Sequence, residues 1–195
     1  RVMLAFQSPW KAEDQPLVKE WLDAMEKPLE LAVAASRRTE YFEPLLSPDK
    51  KDRAKGVELV DCPSSRQTRV LCMALQARAM LKLGENRADE CWDDLQVIHR
   101  LARLAARGGS AAELLNAITM ERMALRGDLE YLQAAKLAGE LIRKKRLELQ
   151  QLPTLAKFAD KCDFFERILW LDILQQARFG NWQAVKNGSR NSDQE

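Results

Sequence analysis

A chain of 195 residues, 46% of them hydrophobic, can bury the core of one compact unit. Its 31 basic and 29 acidic residues leave a formal charge of +2, too small an excess to draw it toward nucleic acid or an anionic membrane surface. One histidine and four scattered cysteines (Cys62, Cys72, Cys91, Cys162) exclude a disulfide-stapled scaffold and match no zinc-ligand spacing, so no metal or cofactor is expected.

No apolar run reaches the length that spans a bilayer, so direct membrane insertion by this segment is not expected. The chain opens RVMLAF, without an initiator methionine or a signal peptide, as expected of an excised or processed part of a longer protein. Residues 1–13 lack sustained periodicity and read as a leader packed by Val2, Leu4, Phe6 and Trp10. Asp14 is placed to cap a first helix, with Pro16 in its opening turn and Leu17, Trp21, Leu22 and Met25 as its apolar stripe. Pro28 predicts either a kink or the start of a second helix to about Arg38, with Leu29, Leu31, Ala32 and Ala35 inward. Residues 1–46 therefore read as a leader and a helical hairpin. Pro44, Pro48, Gly56 and Pro63 among mixed charges give 39–64 the composition of a connection, with Tyr41, Phe42, Leu45 and Leu46 pinning its first part and 47–64 as the long connection.

Residues 65–186 read as a helical-repeat section. The segment Val70–Gly84 (VLCMALQARAMLKLG) is echoed at Glu113–Gly127 (ELLNAITMERMALRG), so that Leu71 meets Leu114, Cys72 Leu115, Ala74 Ala117, Leu75 Ile118, Met80 Met123 and Gly84 Gly127. The register continues with Cys91 on Ala134, Trp92 on Ala135, Leu95 on Ala138 and Ile98 on Leu141. Ser64 with Gln67 opens a helix to Gly84, and Asn86 with Asp89 opens one to about Ala106, before Gly108-Gly109. Ser110 with Glu113 forms a capping box for a third helix ending near Gly127, and Asp128 caps a fourth to about Gln150. Two equivalent hairpins, 66–106 and 111–150, follow, with Leu75 and Ile118 as matched core positions. Pro153 opens a last helix to about Arg178 that buries Leu155, Phe158, Ile168, Leu171 and Leu174 and bends near Ala159–Asp163. Its apolar residues cover more than one face. That breadth calls for a cover from the leader around Phe6 and Trp10, from Phe179–Val185, or from a second subunit; a monomer is favoured over a homodimer. Residues 187–195 form a polar, flexible tail. The fold class is all-α: antiparallel helical hairpins stacked as a short right-handed solenoid or an irregular bundle, in one compact unit. It is loosely tetratricopeptide-like, although the spacing from Leu71 to Leu114 exceeds the usual ~34 residues.

Two stretches, PLVKEWLDAMEKPLELAVAASRRTEYFEPLL at Pro16–Leu46 and the segment Arg69–Glu140, resemble an uncharacterised group of bacterial proteins best known from large-genome lineages. The resemblance implies an all-helical, repeat-like domain that follows an N-terminal membrane anchor, hence a soluble domain tethered in the cell envelope. It implies no catalytic residue, cofactor or ligand.

Candidate chemistry is sparse. His99 has no second histidine or cysteine at ligand spacing, so a packed, hydrogen-bonded ring is expected instead of a metal site. Cys72 and Cys91 are replaced by Leu115 and Ala134 in the echo, which marks both as small core side chains. Asp89, Glu90, Asp93 and Asp94 crowd a helix start and suit its dipole. Arg143, Lys144, Lys145 and Arg146 do the same for a helix end, because consecutive residues spread around a helix and make no phosphate-reading stripe. Arg126-Gly127-Asp128 reads as helix stop and cap, not as an adhesion motif. Gly108-Gly109-Ser110 lacks the lysine and strand of a nucleotide loop. The expected function is protein or peptide interaction or scaffolding without catalysis. Trp10, Trp92, Trp182, Arg143 and Lys144 are the candidate contact residues. The alternative is an enzyme or small-molecule-binding domain that uses Asp, Glu and Arg side chains in an inter-helix pocket.

Overall fold

The computed structural model describes residues 5, 7–42 and 63–178. The regular elements among them are helices: α1 (Pro16–Ala24), α2 (Glu26–Ala35), α3 (Pro63–Gly84), α4 (Ala88–Ala105), α5 (Ala111–Ala134), α6 (Gly139–Gln150), α7 (Phe158–Lys161) and α8 (Arg167–Arg178). A π-helical turn at Cys162–Glu166 joins the last two. Trp182, the 187–195 tail and most of the 47–64 connection lie outside the described residues, while Pro63 and Ser64 already belong to α3.

The helices α3, α4 and α5 pack on one another, and the short connections at 85–87 and 106–110 set consecutive helices antiparallel. The central element is α3, whose buried residues Cys72, Ala74, Leu75, Ala77, Met80 and Leu83 belong to more than one face because α1, α2, α4 and α5 all pack against it. It ends on Asn86, which takes the left-handed conformation (φ 61°). The Asn86 N–H donates to the Leu83 carbonyl at 3.1 Å and the Arg87 N–H to the Lys82 carbonyl at 2.8 Å, the paired bonds of a Schellman ending. Asn86 thus stops α3 and does not cap α4, whose N-cap is Arg87 without a side-chain cap bond.

The leader lies across α3. Trp10 donates from Nε1 to the Ala77 carbonyl at 3.1 Å and from its backbone N–H to the Met80 carbonyl at 3.3 Å. Gly84 makes this possible, since a β-carbon there would overlap the Trp10 backbone. Asp14 closes a turn by accepting from the Lys11 N–H at 3.1 Å, and Gln15 stands at the α1 N-cap. The break that Pro28 predicts falls at Met25. Proline removes the N–H that would bond the Ala24 carbonyl and crowds that carbonyl, so α2 restarts with Pro28 in its first turn. Each of these two helices buries one narrow face, Val18 with Leu22 and Leu29 with Ala32, leaving Leu17 and Leu31 exposed where the stripes placed them inward.

The second half departs from the expected register. Gly127 and Asp128 do not end one helix and start another: α5 runs through both to Ala134, and the break falls at 135–138, where Lys136 takes φ 43°. Gly127 sits inside the helix under the Leu95 side chain of α4; a β-carbon there would overlap a Leu95 methyl and force that buried side chain to shift. Leu114, Ala117, Met120 and Ala124 are buried, whereas Leu115 and Ile118 are exposed and do not match Cys72 and Leu75 as core residues. The first hairpin is present as α3–α4. In place of the second stand a long α5 and a short α6, and the described helices form an irregular bundle.

The last helix is anchored at its start. Lys161 Nζ donates to the Gly108 carbonyl, and the Ala111 N–H donates to Glu166 Oε1 at 3.0 Å, so α7 and the π turn dock on the α4–α5 connection. The bend expected at Ala159–Asp163 appears as that π turn. Phe158, Ile168, Leu171 and Leu174 are exposed among the described residues, not buried, and Trp10 belongs to α3, not to this face.

These placements separate two positions that the repeat register equated. Leu75→Ala is expected to cost about 2–5 kcal/mol through lost burial and a cavity, whereas Ile118→Ala stays within about 0.5 kcal/mol, as for a surface position. Urea denaturation of both variants checks this, and equal losses would restore the repeat equivalence.

Candidate functional site

The geometry that organises the molecule's outer face begins at a buried histidine. His99, on α4, is almost fully buried, and its Nε2 lies 3.1 Å from Asp128 Oδ2. Its Nδ1 stands 3.0 Å from Glu121 Oε2, an ion-pair distance without the alignment of a hydrogen bond. Both carboxylates belong to α5. Burial disfavours the charged ring, but Asp128 and Glu121 outweigh it and raise the pKa to about 9, so the imidazolium form persists at neutral pH. Arg103 adds a second cation, with Nη1 2.6 Å from Glu121 Oε2 and 3.0 Å from the His99 carbonyl. Burial pushes the Glu121 pKa up, and His99 with Arg103 more than reverse this and hold it below the usual carboxylate range. The cluster ties α4 to α5 along one line. The ring is buried and bonded to Asp128, as expected of a packed, hydrogen-bonded histidine.

With Glu121 and Asp128 held against α4 and Gly127 pressed on Leu95, the rotation of α5 about its axis is fixed. Its N-terminus is set as the sequence predicts: Ser110 Oγ accepts from the Glu113 N–H at 3.2 Å while the Ser110 N–H donates to Glu113 Oε2 at 2.9 Å. The outward side of the helix is then Leu115, Ile118, Arg122, Leu125, Leu129 and Leu132. These positions alternate in steps of three and four, the spacing of a coiled-coil seam. Their five apolar members are between 39% and 59% exposed, too open for core residues. Beside the seam lies a shallow groove of about 320 Å³, with Met73 and Met123 in its lining and Arg69 and Arg126 among its cationic groups. The guanidinium groups of Arg69, Arg122 and Arg126 have no ion-pair or hydrogen-bond partner among the described residues.

The residues singled out from sequence fall elsewhere. Trp10 and Trp92 are buried and cannot form a contact surface. Trp10 anchors the leader. Trp92 clamps α6 by donating from Nε1 to Glu148 Oε2 at 2.6 Å, with Lys145 Nζ 5.2 Å over its ring and Tyr131 packed against it. Arg143 and Lys144 are exposed on α6, and Lys145 is drawn inward by Trp92. Trp182 lies outside the described residues. Cys72 and Cys91 are buried, and burial raises both thiols to about 12, so neither presents a thiolate. Among the acidic run, Asp94 is buried and cross-links α4 to α3, accepting from Arg78 at 2.6 and 2.9 Å and from Lys82 at 2.8 Å. No cluster of three or more metal-ligating side chains occurs among the described residues. The α5 seam was missed because the echo with α3 assigned its leucines to the core; the three-four spacing itself was the available signal.

No family model, curated protein or solved structure matches the chain.

The His99 cluster gives a pH signature. Its folded pKa lies above the ordinary 6.5, so its stabilisation is complete below about pH 6.5 and is lost as pH rises through about 9. Glu121, shifted downward, contributes above the ordinary carboxylate pKa and loses its contribution in acid. Urea unfolding is expected to show greatest stability near pH 5–6.5 and a fall on the order of 2–3 kcal/mol by pH 9.5. His99→Gln flattens the alkaline limb; an unchanged limb in that variant assigns the titration to another group.

Proposed function

We propose that the protein is a non-catalytic binding module that docks an acidic amphipathic helix of a partner protein along α5. One observation carries the reading: an exposed apolar seam with three-four spacing on a helix whose rotation is fixed from behind. An apolar stripe of this kind is what a partner helix lays its own face into. The unpaired guanidinium groups of Arg69, Arg122 and Arg126 beside it select carboxylates at the flanking positions of that helix, and they disfavour a second copy of α5, which would bring its own arginines to the interface. None of the described helices is long and apolar enough to cross a membrane.

Fluorescence anisotropy with a labelled synthetic helix tests the proposal. The peptide carries leucine in three-four spacing and glutamate at the flanking positions; a control places lysine at those flanks. The acidic peptide is expected to bind at least about tenfold tighter than the basic one, and Leu125→Asp to weaken it by a further factor of about ten or more. Equal affinity for the two peptides, or binding indifferent to Leu125→Asp, overturns the reading. A concentration-dependent dimer in sedimentation that Leu125→Asp abolishes reassigns the seam to self-association.

A further inference from the structure

Apart from the seam, a cleft runs between α2, α4 and the chain around 148–153. It has two chambers, of about 370 and 670 Å³, which share Arg37, Arg100 and Leu152. The smaller one is lined by five arginines and no carboxylate. Two of these are occupied: Arg103 by Glu121 and the Pro153 carbonyl, and Arg107 by the Thr39 carbonyl. The guanidinium groups of Arg37, Arg38 and Arg100 have no partner among the described residues. Like charges gathered in a concave space are unfavourable unless an anion joins them.

The larger chamber supplies an independent sign of a ligand. Gln96 lines it, is 5% exposed, and leaves its Nε2 donor without an acceptor among the described residues. A buried donor in that state is costly, and an acceptor on a bound molecule would relieve it once the amide turns to face the chamber. Asp93, Asp94 and Glu148 stand in the same lining. A second negative charge on the ligand would therefore be repelled there, and an uncharged acceptor oxygen suits the Gln96 donor.

We propose that this cleft binds a small phosphate monoester. The dianionic phosphate sits in the smaller chamber on Arg37, Arg38 and Arg100, and the uncharged, oxygen-bearing remainder extends into the larger chamber to accept from Gln96. Three free planar guanidinium groups match the three terminal oxygens and double charge of a phosphate better than a single carboxylate. The chamber volumes are those of small-molecule sites. Leu104, Leu152 and Pro153 supply an apolar wall that a fully hydrated ion would not use.

Isothermal titration of the full chain at low ionic strength, with inorganic phosphate and with glycerol 3-phosphate, tests the assignment. Glycerol 3-phosphate is expected to saturate and to bind about tenfold or more tighter than inorganic phosphate. Arg38→Gln and Arg100→Gln each weaken both probes by about fivefold or more, while Gln96→Leu weakens only glycerol 3-phosphate, by about threefold or more. Arg38 and Arg100 are exposed, so their variants keep the fold and carry the test even where Gln96→Leu does not. Absence of saturable binding by either probe overturns the proposal. So does equal affinity for the two probes, which removes any role for the larger chamber. An equal loss in Arg143→Gln, outside the cleft lining, also overturns it by assigning the binding to bulk charge.

Discussion

The imidazolium of His99 between Asp128 and Glu121 is the interaction on which the outer surface of the molecule depends. A helix of 24 residues with leucines on several sides has no single preferred inward face, and hydrophobic burial alone leaves its rotation loosely specified. Charged groups do not tolerate such freedom when buried. Turning α5 away from α4 would strand Asp128 and Glu121 opposite apolar neighbours and leave a buried cation unpaired, a penalty larger than the gain from covering another leucine. The cluster therefore acts as a register pin, the role for which buried polar groups are best suited.

The pin works because its two helices approach closely. Gly127 lets Leu95 sit directly on the α5 backbone, and Ala117 and Ala124 continue the same narrow line of contact. Close approach shortens the distance that the His99 ring must bridge and excludes water that would weaken its ion pairs. A similar logic joins α3 to α4, where Asp94 is held by Arg78 and Lys82, and joins the leader to α3, where Gly84 admits the backbone of Trp10. The bundle is thus keyed at three places by polar links, two of them beside a glycine, with ordinary apolar packing between them.

One arginine connects the two candidate surfaces. Arg103 reaches Glu121 on the inner flank of α5 and also lines the arginine-rich cleft, where it bonds the Pro153 carbonyl. The charge that steadies the seam is consequently part of the wall of the cleft. The arginines that are free to meet a ligand are the neighbours of this structural one, Arg37, Arg38 and Arg100, which no carboxylate among the described residues engages.

Much of the local structure was legible in the sequence. Ser110 and Glu113 form the reciprocal cap because both partners lie within one turn, and the π turn falls where polar density interrupts the last apolar pattern. The helical class, the burial of Cys72 and Cys91 and the bonded ring of His99 follow from composition and spacing. What tertiary structure decided was which side of each helix faces inward. Gly127-Asp128 carries a local signal to end a helix, and the approach of the helix that carries Leu95 overrode it, with a glycine where a side chain would press on Leu95 and an aspartate where a distant histidine needed one.

On α5 the small Ala117 is inward as its pairing with Ala74 implied, whereas Leu115 and Ile118, which the echo placed in the core, are on the surface. The sequence by itself determined a helix starting after Ser110 with apolar side chains on more than one face, and it offered no local reason to prefer Leu115 and Ile118 over Ala117 and Ala124 as the outer set. Only the partner helix settled that choice. Small residues were drawn inward because they allow the helices to come within reach of the buried ion pairs, and the bulky ones were left on the surface.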